Sequence, residues 1–269
     1  LLGEHVDAGH MLGSATVILD IEDQESGRDL RLVFSGDIGR AGIPIIRDPV
    51  PPTAGADILI MESTYGGRQH EATSDAEAAF KRILREAWER RGAVIIPAFA
   101  VGRTQQIVFL LHQLYTNGDL PRMPVYVDSP LATNVTEVYR LHPEVYDRET
   151  REFLQRDDDA NIFGFKLLQY TRSVDDSKRL NTLDEPVIII SASGMMEAGR
   201  VLHHLHNRIE DPRTTILIVG WQAPDTLGRR IMERQPVVNI FGEPHQLRAR
   251  VEVLEGFSGH ADHHELLAW

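Results

Sequence analysis

Histidines and carboxylates recur in this chain in one local setting, a turn of small residues beside an apolar stretch. His10 stands in AGHMLGSA, Asp37 in FSGDIGR, Glu62 in MESTYGG and His260 in GFSGHAD. Imidazole nitrogen and carboxylate oxygen are the donors that a hard or borderline divalent cation takes. The same groups relay protons. Each position also has a plainer reading. A lone histidine is as readily structural or exposed as ligating. An aspartate between glycines can close an Asx-turn with no ligand. A glutamate at a strand end is either an acid/base group or a helix cap, and burial would raise its pKa unless a cation sits nearby. His263 and His264, in HHELLAW, read as the solvated first turn of a last helix.

The elements that must carry these side chains follow from periodicity. ATVILDI (15–21) and DLRLVFS (29–35) predict two strands joined by the hairpin connection EDQESGR, and DILIM (57–61) a short apolar strand. Residues 44–52 form a proline-rich loop. From Ser74 the spacing turns helical to about residue 91, with Ser74 as N-cap and Glu77 as its capping-box partner. Strand AVIIPAF (93–99) leads through Gly102 and Arg103 into the helix QQIVFLLHQL. A strand at 124–127 precedes a helix at 131–141. VIIIS (187–191) precedes Gly194 and a helix at 198–207, and TILIVG (215–220) follows. Apolar strands alternating with helices imply a parallel sheet covered on both faces. From Pro236 to Glu255 the text returns to β character. The expected division is therefore 1–68, 69–234 and 235–269, with the α/β middle inserted into a β-rich domain. The run Asp157-Asp158-Asp159 reads as a solvated loop, and HHLH at 203–206 as a polar helix face rather than a metal site.

Composition narrows the classes. A chain of 269 residues, 42% hydrophobic and 25% charged, holds one large domain or two moderate ones. A net charge of −12 argues against a binder that wraps nucleic acid by charge alone, although a local basic groove or bound cations can coexist with it. With no cysteine, disulfides, thiolate zinc sites and cysteine nucleophiles are excluded, and a reducing cytoplasm fits. No apolar run reaches the roughly 18–20 residues of a membrane span. LLGE carries no basic region before an apolar core, so no signal peptide is expected, and the absence of a leading methionine suggests an excerpt.

The motifs AGHMLGSA, FSGDIGR, MESTYGG, PAFAVGRTQQ, SASGMMEAGR and GFSGHADHHELLAW, in this order, resemble the β-CASP branch of the metallo-β-lactamase superfamily. That branch includes ribonuclease J and the pre-mRNA 3′-end cleavage endonuclease. The likeness runs along essentially the whole chain. It implies an α/β protein: a partial metallo-β-lactamase αββα sandwich with an inserted β-CASP domain, a doubly wound parallel sheet. In that family two zinc ions bridged by an aspartate activate a hydroxide that attacks an RNA phosphodiester. By resemblance His10 is a zinc ligand and Asp37 the bridging aspartate. Glu62 orients a ligand or the hydroxide, and His260 lies beside the scissile phosphate. Arg103, Ser129, Ser191, Ser193 and Gly194, at strand-to-helix turns of the inserted domain, become candidates for phosphate contact. Such turns occur in any doubly wound sheet, so the type of turn alone does not decide it.

The family's HxHxDH motif is absent from these 269 residues, as is its valine-histidine-glycine turn. His10 and Asp37 are two of the expected ligands, whereas a catalytic zinc takes three protein groups and an open position. The expectation is a truncated or excerpted chain with an incomplete dinuclear zinc site and weak or absent nuclease activity. Incomplete sheet edges would favour a homodimer. Two rivals stand beside metal-dependent RNA hydrolysis. One is a repurposed hydrolase of activated esters or phosphotriesters that works without the zinc pair. Its nucleophile would be a histidine-activated water or one of Ser191, Ser193 and Ser258, none of which sits in a GxSxG elbow. The other is a non-catalytic RNA-binding fragment, in which Arg103 and the Gly194 turn matter more than Asp37.

Overall fold

The computed structural model describes residues 2–23, 25, 27–157 and 160–269. Its contacts divide the chain into two units. One comprises Leu1–His70, His142–Arg156 and Gly259–Trp269; the other comprises Glu71–Leu141 and Asp157–Ser258.

The first unit is built on a four-stranded sheet. Strands β1 (Leu2–Asp7), β2 (Ala15–Asp23) and β3 (Arg28–Phe34) form an antiparallel meander, and β4 (Ile58–Ile60) adds parallel to β3. On β2, Thr16 and Ile18 are buried and alternate with more open neighbours, the period of a half-covered sheet. DILIM does form an edge strand, but its apolar side chains are not buried: Ile58, Leu59 and Ile60 are 48%, 51% and 51% exposed. Two distant segments complete the unit. Residues 142–156 join because Tyr146 bridges Ile46 and the Asp147 carboxylate accepts the Ile45 N–H at 2.8 Å; this stretch contains α4 (Arg148–Arg156). The last segment ends in α8 (His263–Ala268), whose Leu266 packs with Ile38 and Ala261.

The second unit is α/β. Its helices are α1 (Thr73–Glu89), α2 (Arg103–Thr116), α3 (Pro130–Leu141), α5 (Val174–Leu180), α6 (Arg200–Arg208) and α7 (Leu227–Met232). Its strands are β5 (Ala93–Pro97), β6 (Val125–Val127), β7 (Leu168–Tyr170), β8 (Val187–Ser191), β9 (Thr215–Ile218), β10 (Val237–Ile240), β11 (Glu243–Gln246) and β12 (Arg250–Val253). Six of them form one parallel sheet in the order β12-β9-β5-β8-β6-β7. The central β5, β8 and β9 are buried at every residue, as strands covered on both faces must be. Ile95, Ile216 and Ile218 share a core with Val201 and Leu205 of α6 and Leu227 and Ile231 of α7. The adjoining β10–β11 hairpin contributes Val238 and Ile240 to that core. Among the described residues no helix is long and apolar enough to cross a membrane.

Three sequence expectations differ from the structure. The β-like text after residue 235 divides by contact: β12 pairs with β9 in the second unit, and the chain returns to the first unit at Gly259 rather than at 235. Helix α1 is capped at Ala72 without a side-chain bond, so Ser74 lies inside the first turn and does not cap it. Asp157 is not solvated, since its carboxylate pairs with buried His112 at 3.3 Å; Asp158 and Asp159 lie outside the described residues, as do Gln24 and Ser26 of the predicted hairpin connection.

Candidate active site

Asp37 and Glu62 follow β3 and β4, His10 lies between β1 and β2, and His260 precedes α8. All four belong to the first unit. Gly39 permits their approach. Its N–H donates to the Ala8 carbonyl at 2.7 Å, and a Cβ on it would lie 1.9 Å from the Gly9 oxygen and 2.7 Å from the His10 nitrogen. Gly39 also bridges His260, and the Ala261 N–H donates to the Ile38 carbonyl at 2.8 Å. The turns carrying His10, Asp37 and His260 are thus joined backbone to backbone. Gly39→Ala must displace the His10 turn. It is expected to cost about 1–3 kcal/mol by overpacking and, if the His10 cluster takes a cation, to weaken its binding at least tenfold. Zinc titration and denaturant unfolding measure the two effects. Gly55→Ala, where a Cβ meets nothing within 4 Å, serves as the control and stays within about 0.5 kcal/mol of wild type.

His10 Nδ1 donates to the Gly259 carbonyl at 3.0 Å, which leaves Nε2 as the lone-pair nitrogen. That nitrogen lies 4.0 Å from Asp37 Oδ2, a gap that two metal–ligand bonds of about 2.0–2.2 Å span at a wide angle. A ligating histidine commonly fixes its other N–H on a carbonyl in this way. Burial, and then the neighbouring His260, hold the His10 pKa below its ordinary value against the opposing pull of Gly259, Asp37 and Glu62. The ring is a neutral donor at neutral pH. One ligand atom each from His10, Asp37 and His260 lie within 4.8 Å of one another, and the two imidazole centroids are 4.4 Å apart. Two nitrogens and one oxygen fit a single zinc-class cation with an open position. A bridged pair of cations needs more donors than this cluster supplies.

Glu62 is nearly buried, at 7% exposure, and its two oxygens lie 3.1 and 3.3 Å from His260 Nδ1. The Ile38 amide donates to the same carboxylate. Burial pushes the Glu62 pKa up, but hydrogen bonds from His260, Thr64 and the Ile38 amide outweigh it and hold the group below the usual carboxylate range. An ionised Glu62 fixes the His260 proton on Nδ1 and makes Nε2 the atom that can pass a proton or bind a cation.

Three further residues hold this arrangement and escaped sequence reasoning. The His70 Nε2–H donates to the His260 carbonyl at 3.0 Å, and the His70 N–H donates to Asp262 Oδ2 at 3.1 Å. Buried Tyr65 stacks obliquely on His70, centroids 4.4 Å apart. Asp262 is the N-cap of α8 in a reciprocal box with Glu265. The Asp-x-x-Glu spacing signalled that cap; His70, 190 residues from its partner, left no local signal. His263 is not a solvated helix residue, because its Nδ1 donates to the Gly66 carbonyl at 2.6 Å; His264 is exposed beside Gln69.

The remaining candidates stand in the second unit, past the carboxyl ends of the neighbouring strands β5, β6 and β8. Arg103 opens α2 after Gly102 (φ 78°) and bonds Gln106 at 2.9 Å. Ser129 is buried, and its Oγ accepts the Ala132 N–H at 3.2 Å at the start of α3. Ser191 is buried and donates to the Asp128 carbonyl at 2.9 Å. Ser193 Oγ accepts from the Glu197 and Ala198 amides at 3.2 and 3.3 Å. Gly194 lies where a Cβ would sit 3.0 Å from the Phe99 ring. Beside them sequence reasoning missed Asp128, whose buried carboxylate accepts from Thr171, Ser177 (2.6 Å), Arg200 (2.7 Å) and His204 (2.7 Å).

Known proteins place this architecture. Residues 104–231 match the Beta-Casp domain family, and residues 244–269 match the family described as the Zn-dependent metallo-hydrolase RNA specificity domain. The chain is 40% identical over 97% of its length to a protein of Thermus thermophilus named as a ribonuclease, covering 58% of that relative. It is 31% and 32% identical, over 98% of its length, to the transcription termination factors FttA of Methanosarcina mazei and Thermococcus kodakarensis, covering 41% of each. The chain therefore spans roughly two fifths to three fifths of the length of these relatives. Two family matches that lie on the α/β unit and on the turn carrying His260, with these relatives along nearly the whole sequence, agree with the fold and with the resemblance to the β-CASP branch of the metallo-β-lactamase superfamily: the chain carries a Beta-Casp domain.

Proposed function

We propose that the protein hydrolyses RNA phosphodiester bonds with the help of a bound divalent cation, zinc first among the candidates. The observation that carries this reading is the convergence of His10, Asp37 and His260, with buried Glu62 clamped to the His260 ring. The family description and the names of the relatives supply the substrate class. His10 and Asp37 would hold the cation, its remaining positions left to water and substrate, so that His260 stays free for proton transfer instead of serving as a third ligand. When bound, zinc would polarise a phosphoryl oxygen as a Lewis acid and lower the pKa of a water molecule on it. With Glu62 holding one proton on Nδ1, the imidazolium form of His260 carries a second on Nε2 and would give it to the oxygen that leaves as its P–O bond breaks and water adds to phosphorus. In the second unit Arg103, Ser193 and Gly194, with Ser129 and Ser191 behind them, mark a strand-end surface suited to holding the RNA backbone. The Arg103 guanidinium adds positive charge to a chain that is acidic as a whole.

The test is cleavage of a labelled single-stranded RNA at enzyme excess, with zinc, after chelation, and after zinc is restored. Hydrolysis that chelation stops, that zinc restores, and that Asp37→Asn cannot recover supports the proposal. Cleavage that survives chelation overturns it and favours the metal-free hydrolase of activated esters. Salt-sensitive RNA binding without cleavage under any condition overturns it in favour of a binding fragment. Self-association belongs to the same proposal: the open β4 edge, with Ile58, Leu59 and Ile60 half exposed, is the surface through which two copies would pair.

A further inference from the structure

The second unit carries another set of converging donors. Helix α6 contains HHLH, and its histidines part company. His204 turns inward to Asp128, while His203 and His206 stand against the Phe241 ring, with centroids at 4.8 and 5.9 Å. Phe241 and Gly242, at φ 54° and 81°, form the left-handed turn of the β10–β11 hairpin. On β11, Glu243 and His245 lie two residues apart and therefore on one face of the hairpin. One ligand atom each from His206, Glu243 and His245 lie within 4.8 Å of one another. The His206 and His245 rings are 4.8 Å apart, edge to face.

Two of the polar atoms there are orphaned. His206 Nδ1 and His245 Nε2 are buried and have no hydrogen-bond partner. A buried ring nitrogen without a partner costs roughly 1–3 kcal/mol, and a cation would satisfy both. The other nitrogen of His245, Nδ1, lies 3.7 Å from Glu210 Oε1, and that oxygen is also held by the Gln246 N–H at 3.0 Å. A carboxylate behind a histidine is the support that ligating imidazoles usually have.

We propose that His206, Glu243 and His245 form a second metal site, separate from the His10 cluster, for a zinc-class divalent cation. Two imidazoles and a carboxylate with one open position match the donor preference of zinc and do not suit magnesium or calcium, which take oxygen. The ligands come from α6 and from the hairpin that flanks it, so the cation joins two elements otherwise held by the apolar contacts of Val238 and Ile240. With water in the fourth position, the cation would tie α6 to the hairpin.

The experiment is zinc titration of the metal-stripped full chain by calorimetry, with the thermal midpoint followed in parallel. In His206→Gln/His245→Gln the stoichiometry is expected to fall by one zinc per chain, and the zinc-dependent rise of the midpoint to shrink. In His10→Ala/Asp37→Asn that equivalent persists. Glu243 is exposed at a hairpin, so Glu243→Gln should fold; it is expected to weaken the same equivalent at least tenfold. Unchanged stoichiometry and affinity in both the histidine and the Glu243 variants, with native circular dichroism, overturn the site. So does the loss of all zinc binding in His10→Ala/Asp37→Asn.

Discussion

Asp128→Asn lowers the unfolding free energy by about 3–5 kcal/mol, the size expected when one member of a buried, hydrogen-bonded charge network is neutralised. The carboxylate is fully buried at the end of β6 and accepts from four side chains, Thr171, Ser177, Arg200 and His204. An asparagine of the same shape keeps one oxygen but turns an NH2 toward donors. The half-buried Arg200 guanidinium then loses its counter-charge, although its bond to the Arg172 carbonyl at 2.9 Å remains. Burial pushes the Asp128 pKa up, yet the hydrogen bonds from His204, Ser177, Thr171 and Arg200 prevail and leave it far below the ordinary carboxylate value. The sign of the pH effect follows. A depressed folded-state pKa contributes stability that is complete above the unfolded value of about 3.9 and drains away as pH falls below it. Wild type should lose stability steeply below about pH 4, and Asp128→Asn should show a shallower slope there while starting lower at neutral pH. Denaturant unfolding at a series of pH values reads both. Equal stability of the two proteins at pH 7 would refute the account.

On the proposed function, His260→Ala is expected to reduce single-turnover RNA cleavage by roughly 10²–10⁴-fold, the usual contribution of a positioned acid/base group. The buried Glu62 is then left without its principal donor, which adds a stability loss of about 1–3 kcal/mol. Glu62→Gln separates the two effects. On the same proposal Glu62 acts through the histidine as a positioning residue, so its replacement should lower the cleavage step while leaving the RNA concentration for half-saturation nearly unchanged. Glu62→Asp keeps the charge and should recover part of the rate. An equal loss in binding and rate, or no recovery with aspartate, would mean that Glu62 merely supports the turn.

The parallel sheet was legible because AVIIP, VIIIS and TILI are apolar at every position, a pattern that only a strand covered on both faces tolerates. Strand β1 was not, since LGEHVD is mostly exposed and is a strand by virtue of its register with β2, from Leu2↔Asp20 to Asp7↔Ala15. The text after residue 235 showed β character but not which sheet it joined, because pairing with β9 is a long-range event. In the candidate site, residue type and small-residue turns singled out His10, Asp37, Glu62 and His260, which the fold brings into one unit. The clamp between Glu62 and His260 spans 198 residues and has no local trace. The HHLH stretch shows the opposite failure: a polar-looking helix face hides one histidine in a buried network and sets another among donors from a hairpin.

The order in which segments enter the first unit has a consequence for its biogenesis. Its parts are residues up to 70, then 142–156, then 259 onward, while the second unit is complete at Ser258. During synthesis, at roughly 5–20 residues per second, the α/β unit has all its strands before His260 exists. The first sheet has its four strands by Ile60, but its Gly39 turn lacks a partner until the segment carrying His260 is made. The nascent chain therefore carries an assembled α/β unit before it carries the candidate site, and ribosome-stalled chains ending before residue 260 should resist protease in the second unit while remaining cleavable in the first.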